Sequence, residues 1–426
     1  RRMKIQIKNG RVVDPQSGTD KVQHIYLAAG KIAAIGAAPE SFHANRVIDA
    51  NGLMVCPGLV DLSARLREPG FEHKATLESE MAAAVAGGVT SLACPPDTDP
   101  PLDEPGLVEM LKHRARSLNQ AHVYPLGALT LGLKGQRITE MAELSDAGCV
   151  AFSQADVPLD DNQVMLRAMQ YATTFGYPVW LRPSDGSLAR GGVAHDGQVA
   201  TRLGLAPIPV AAETVALSTM LLLARETGAR VHLCRLSSAE GVEMMRQAKA
   251  LGMNVTCDVS ANHVHLSEMD IGYFDSNYHL VPPLRSLRDR EALRRGVEDG
   301  TIDAICSDHT PVDEDAKQLP FGESEAGATG LELLLALTLR WAEESRVALP
   351  KAIAKVTTEP ARILGIGTVA VAAGANADLC IFDPHLRWKV EPSTLKSQGK
   401  NTPFAGYEVK GGVRYTLVGG QIVFEA

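Results

Sequence analysis

Apolar and polar side chains alternate in short runs through the first 54 residues: Lys4-Ile5-Gln6-Ile7, Arg11-Val12-Val13, His24-Ile25-Tyr26-Leu27 and Lys31-Ile32-Ala33-Ala34-Ile35. A period of two sets one row of side chains on a buried face, and Asn9-Gly10 and Gly30 supply the positive backbone angles that tight turns need. The same texture returns near residue 367, in Ala377-Asp378-Leu379-Cys380-Ile381-Phe382 and in Thr416 to Phe424. Two β-rich ends around a long middle predict one small domain built from both termini.

The middle changes period. Strand-like apolar runs at Met54–Asp61, Val89–Cys94, His122–Leu126, Cys149–Phe152, Pro178–Leu181, Arg230–Cys234, Asn254–Asp258 and Asp303–Ser307 alternate with helical patterns. The helical stretches include Leu77–Ala86, Glu104–Arg116, Asn162–Phe175, Ala211–Thr227, Ala239–Leu251 and Leu287–Glu298, and helical spacing resumes over Leu331–Ala342 and Leu349–Ala354. Eight strand-then-helix units predict an α/β chain with a (β/α)8 TIM-type barrel over 55–365, flanked by the two parts of the β domain, 1–54 and 366–426. No Gly-x-Gly-x-x-Gly follows the first strand, which argues against a doubly wound dinucleotide fold. No repeat period or low-complexity run interrupts the pattern.

Composition removes several functions. Of 426 residues, 45% are apolar and 22% charged, ordinary for a globular protein, and a net charge of -8 gives no footprint for nucleic acid or anionic membrane. Seven scattered cysteines without a Cys-x-x-Cys pair read as buried thiols, and neither a signal core nor a long apolar run is present, so a cytoplasmic location is expected. Gly-x-Ser-x-Gly elbows and phosphate loops are missing as well.

In a barrel of this kind the residues just past each strand face one cavity. Read in turn they are Asp61, Ser63 and Arg65; Asp97; Ser153, Gln154 and Asp156; Arg182 and Asp185; Arg235; Asp258, Asn262 and His263; and Asp308 with His309. The set is polar, as an active-site face should be, and rich in arginine.

The stretch Asp61-Leu62-Ser63-Ala64-Arg65-Leu66-Arg67-Glu68-Pro69-Gly70 resembles the cyclic amidohydrolases, and within them the dihydroorotases, whose sequence here is Asp-x-His-x-His-x-Arg-Glu-Pro-Gly. Gly191-Gly192-Val193, Asp299 to Ile305 and Gly330-Leu331-Glu332 extend the resemblance along the chain. It implies a barrel with a small β-sandwich formed by the N- and C-terminal segments. It also implies zinc, held by two histidines after strand one, an acidic bridge after strand four, histidines after strands five and six, and an aspartate after strand eight.

At those positions this chain has Ser63 and Arg65, then Gln154 and Ala155, then Arg182, then Arg235; only Asp308, the general-base position, matches. Guanidinium stays protonated and offers no lone pair, so three such groups would repel a dication. The expectation is therefore no cofactor: zinc belongs to the family, but its ligands are lost. Arg65, Arg182 and Arg235 would instead face Asp308 and neutralise it through bidentate pairing.

Substrate positions are eroded too. Arg67 resembles the family's carboxylate-binding arginine and reads equally as a structural ion pair, and His263 keeps one member of a histidine pair whose other member is Asn262. His232, inside an apolar strand, reads as a core histidine, and no relocated ligand set is recognisable. The leading expectation is a non-catalytic dihydroorotase-like subunit. The resemblance supplies its partner, aspartate carbamoyltransferase, in a homo- or hetero-oligomer. An active cyclic amidohydrolase with a relocated metal and an anionic-metabolite-binding module are the alternatives.

Overall fold

The computed structural model describes residues 3–426. Parallel strands form two ladders. One contains Leu59–Asp61, Val89–Cys94 and His122–Pro125; the other runs from Gly127–Ala128 through Phe152–Ser153, Val179–Leu181, Val231–Leu233 and Val255–Ser260 to Ala304–Cys306. The chain passes directly from the first ladder to the second at Leu126, and a parallel bridge from Ala64 to His309 joins the two remaining ends. Val89–Cys94 is buried at every residue, as a strand covered on both faces must be.

Helices return the chain between strands, with boundaries set by local chemistry. Leu77–Ala86 starts at Thr76, whose hydroxyl accepts the Ser79 N–H while Ser79 reciprocates. Asn162–Phe175 is capped by Asp161 and stopped by Gly176 at φ 73°, a left-handed angle that glycine adopts without strain.

The terminal segments build one continuous eight-stranded sheet. Its order is Gln421–Glu425, Glu408–Val418, Leu379–Lys389, Met54–Pro57, Ile5–Asp14, Thr19–Ala28 and Lys31–Ile35, with Arg46–Asp49 also paired to Ile5–Asp14. Ile5, Ile25, Ile48, Val55, Leu379 and Leu417 form its own apolar core, separate from the core around the parallel strands. The strands expected to form a small β-sandwich thus all belong to one hydrogen-bonded sheet with its own apolar core.

The single strand expected over Met54–Asp61 is two. Met54–Pro57 pairs with one strand from each terminal segment, Ile5–Asp14 and Leu379–Lys389, and after Gly58 the chain enters the parallel ladder as Leu59–Asp61. Gly58 is required there because a Cβ would lie 2.1 Å from Thr90 Oγ1. The C-terminal part also returns across the parallel strands: Phe404 joins their core, Ser397 Oγ donates to Glu80 at 2.5 Å, and Asn401 Nδ2 donates to the Thr310 carbonyl at 2.9 Å.

Candidate active site

The carboxyl ends of the parallel strands carry an ion cluster whose centre is Asp156. Its Oδ1 accepts Arg182 Nε at 2.9 Å and Arg235 Nη2 at 2.5 Å, and its Oδ2 accepts Arg65 Nη2 at 2.8 Å. Arg65 also donates from Nε to Asp97 at 2.9 Å and from Nη1 to Thr310 Oγ1 at 2.8 Å, while Arg235 Nη1 reaches Asp308 at 2.6 Å. Burial pushes the Asp156 carboxyl up, but Arg235, Arg65 and Arg182 together hold it well below its ordinary range. Burial acts on Asp308 in the same direction and leaves its carboxyl raised, against the pull of Arg235 and Arg65.

The three arginines do converge, but on a different acid from the one the sequence suggested. Asp308 is within ion-pair reach of Arg235 and, at 3.6 Å, of Arg65, whereas Arg182 pairs with Asp156. Sequence reasoning placed Asp156 and Asp97 at the cavity but gave neither a role. Ala155, at φ 54°, is the turn that swings Asp156 back over the strand ends. The signal was an acid two residues beyond Gln154, legible only once three arginines are known to meet there.

The other positions resolve individually. Ser63 Oγ lies 3.5 Å from Asp308 Oδ1. Gln154 turns away, accepting from Thr130 Oγ1 at 2.8 Å and donating to the Leu133 carbonyl at 3.0 Å, and Ala155 packs with Ala128 and Leu133. His263 is buried with Nε2 2.9 Å and 3.1 Å from the Pro282 and Pro283 carbonyls, and burial pushes it down to about 4. Arg67 donates from Nε to the Pro311 carbonyl at 2.9 Å and has Glu325 at 3.8 Å; burial, with Arg65 beside it, lowers it to about 10.

A cavity of about 710 Å³ opens above the cluster, and Arg65, Arg67, Asp97, Asp156, Arg182 and Arg285 are among its walls. Arg235, Asp308 and Ser63 do not line it: they lie beneath Arg65 and Asp156. The volume where the resemblance places a metal is occupied by guanidinium and carboxylate groups.

Zinc does not fit this donor set. Structural and catalytic sites take three or four thiolate, imidazole or carboxylate ligands, and of the six positions only Asp308 offers one. One part of the sequence reading is amended. His232, Cys234 and Asp258 have ligand atoms within 4.8 Å of one another, a metal-capable group that no motif revealed. Its donors are engaged: His232 bonds to Asp258 Oδ2 at 2.7 Å and Thr256 Oγ1 at 2.8 Å, and Asp258 Oδ1 accepts the Arg235 N–H at 2.7 Å.

Comparison with known proteins agrees with this architecture. Residues 52–241 match the dihydro-orotase-like family model and residues 194–423 the amidohydrolase family model. The chain is 46% identical to a dihydroorotase-like protein of Pseudomonas aeruginosa, over 99% of this chain and all of that one. It is 40% identical to a dihydroorotase of Citrifermentans bemidjiense over the full length of both. The L-hydantoinase of Arthrobacter aurescens superposes with a TM-score of 0.89 at 26% identity, covering 99% of this chain and 96% of that one. With this likeness along its whole length and an amidohydrolase scaffold, the chain belongs to the dihydroorotase-like family.

Proposed function

We propose that this protein is a dihydroorotase-like pseudoenzyme of pyrimidine biosynthesis, acting in the cytoplasm as a structural subunit of an aspartate carbamoyltransferase assembly. The parallel ladders, on this reading, close as the family's (β/α)8 barrel. The observation that carries the proposal is Asp156 accepting hydrogen bonds from Arg65, Arg182 and Arg235, three groups at metal-ligand positions. Opening or closing a cyclic amide at neutral pH needs an activated water and a polarised carbonyl, which the family obtains from its metal. No arginine can bind that ion, and both oxygens of Asp156 already accept guanidinium N–H groups. The partner is supported by the family resemblance.

The test is turnover of dihydroorotate and of carbamoyl aspartate by purified protein with added zinc, alone and mixed with aspartate carbamoyltransferase, followed by sizing chromatography of the mixture. The expected result is no turnover by this chain and co-migration at micromolar concentration. Turnover above a heat-killed control overturns the non-catalytic reading; separate elution overturns the partner.

A second reading draws on His232, Cys234 and Asp258: a relocated metal serving an active amidohydrolase. It requires His232 to give up its bonds to Asp258 and Thr256, and stoichiometric metal in the purified protein, measured by elemental analysis, would favour it.

A further inference from the structure

Arg182 and Arg285 are among the guanidinium groups on the cavity wall whose N–H donors lack an acceptor among the described residues. Arg285 is 4% exposed; its Nε donates to Ser237 Oγ at 2.9 Å, and its Nη1 lies 3.1 Å from His195 Nδ1 and 2.8 Å from the Ile208 carbonyl, but Nη2 has no hydrogen bond and no carboxylate lies within ion-pair reach. Burial lowers the Arg285 guanidinium from its ordinary value against the pull of Glu213 and Asp289, neither within ion-pair reach, and Arg182 lowers it further. Arg182 holds Asp156 through Nε alone, which leaves both of its Nη atoms unpaired. Both residues line the same cavity.

The acids on that wall are engaged elsewhere. Glu213 accepts the Ser237 N–H at 2.9 Å on one oxygen and the Ser238 N–H at 2.9 Å on the other, and Asp160 accepts the Gly186 N–H at 3.0 Å. Buried guanidinium N–H groups left without an acceptor are costly, and the like charge of Arg182 adds to the cost at Arg285. One carboxylate laid across both would relieve the pair, since its two oxygens match donors from two guanidinium planes. The cavity is far larger than one carboxylate, and Ile208, Pro282 and Pro283 give it apolar wall for the rest of a ligand.

We propose that Arg182 and Arg285 form a binding fork for the carboxylate of a small organic acid whose hydrocarbon body rests on Ile208, Pro282 and Pro283. The site takes an acid and performs no chemistry on it. It stands whether or not the chain joins a carbamoyltransferase.

The experiment is calorimetric titration of the full chain with acetate, succinate and benzoate, with inorganic phosphate and sodium chloride at matched ionic strength as controls, and thermal melts of the same mixtures. Succinate or benzoate binds saturably with Kd below about 1 mM and raises Tm by about 2 °C at twentyfold excess over Kd. Acetate, lacking a body, binds at least about tenfold more weakly, and Arg182→Lys, which keeps the charge but loses the planar fork, weakens the better acid by at least about tenfold. Three outcomes overturn the proposal: no saturable binding of any of the organic acids to the wild-type chain, phosphate binding as tightly as they do, or unchanged affinity in folded Arg182→Lys. The wild-type titrations decide it alone if that variant does not fold.

Discussion

Replacing Asp156 by asparagine tests whether the cluster at the strand ends holds the fold together. The carboxylate receives Arg182 and Arg235 on Oδ1 and Arg65 on Oδ2. The amide keeps an acceptor for the first two but turns an NH2 toward Arg65, setting donor against donor, and it removes the negative charge that three guanidinium groups share. Breaking one side of a buried ion pair costs about 3–5 kcal/mol. The Asp156 side chain is 25% exposed, so the lower end, about 3 kcal/mol, applies. An unfolding entropy of about 0.9 kcal/mol/K for a chain of 426 residues converts this to a fall of about 3 °C in Tm.

The pH dependence has a definite sign. The folded Asp156 carboxyl is held below its ordinary value, so its stabilisation is complete above the unfolded-state pKa of about 3.9 and is lost as pH falls through the folded value. The gap between wild type and Asp156→Asn is therefore constant from neutrality to about pH 5 and narrows below about pH 4. Scanning fluorimetry of both proteins across that range is the assay. A loss below about 1 °C at neutral pH, or a gap that widens on acidification, refutes the account of the cluster as a structural tie.

Two further substitutions test other joints. Gly58→Ala places a Cβ 2.1 to 2.6 Å from three atoms of Thr90 and is expected to cost about 1–3 kcal/mol by overpacking, with partial recovery in the double variant carrying Thr90→Ala; a melting temperature equal to wild type counts against the close approach. Burial raises the Glu80 carboxyl, but His309, Ser397 and Ser79 hold it below its ordinary value, so Glu80→Gln is expected to cost about 1–3 kcal/mol and to speed amide hydrogen exchange in 396–400; unchanged protection there refutes the docking role.

The alternation of apolar runs and helical stretches was legible in the sequence because each element reports its own environment. Asn162–Phe175, with Asp161 before it and Gly176 after it, is readable from three local signals that all agree. The division at Gly58 was not, because Met54–Asp61 is apolar and buried in both the sheet it leaves and the ladder it enters. Only the pairing partners distinguish the two halves, Leu379–Phe382 for the first and Val89–Leu92 for the second. The site divides in the same way. Arg65, Arg182 and Arg235 were visible as residues in unexpected places, whereas the choice of Asp156 over Asp308 as their common partner depends on a left-handed turn at Ala155. His232, Cys234 and Asp258 likewise meet through adjacent strands, with no spacing motif to reveal them.

Arg65, Asp156, Arg182, Arg235 and Asp308 follow five different parallel strands, so the cluster crosslinks the open end of the ladder much as a shared metal would. The two kinds of crosslink differ in what remains available for chemistry. A metal draws lone pairs from its ligands and keeps a coordination position for water, whose pKa it lowers. A guanidinium group binds carboxylates through a fixed set of N–H donors and offers no vacant orbital. Around Asp156 both oxygens are directed at such donors, and the carboxyl is held well below its ordinary range, so it is a poor base for drawing a proton from water. Asp308 has the higher proton affinity but lies under Arg235, away from the cavity walls. The tie between strands and the activation of water are thus separable properties of this scaffold, and the cluster around Asp156 supplies the first through hydrogen bonds alone.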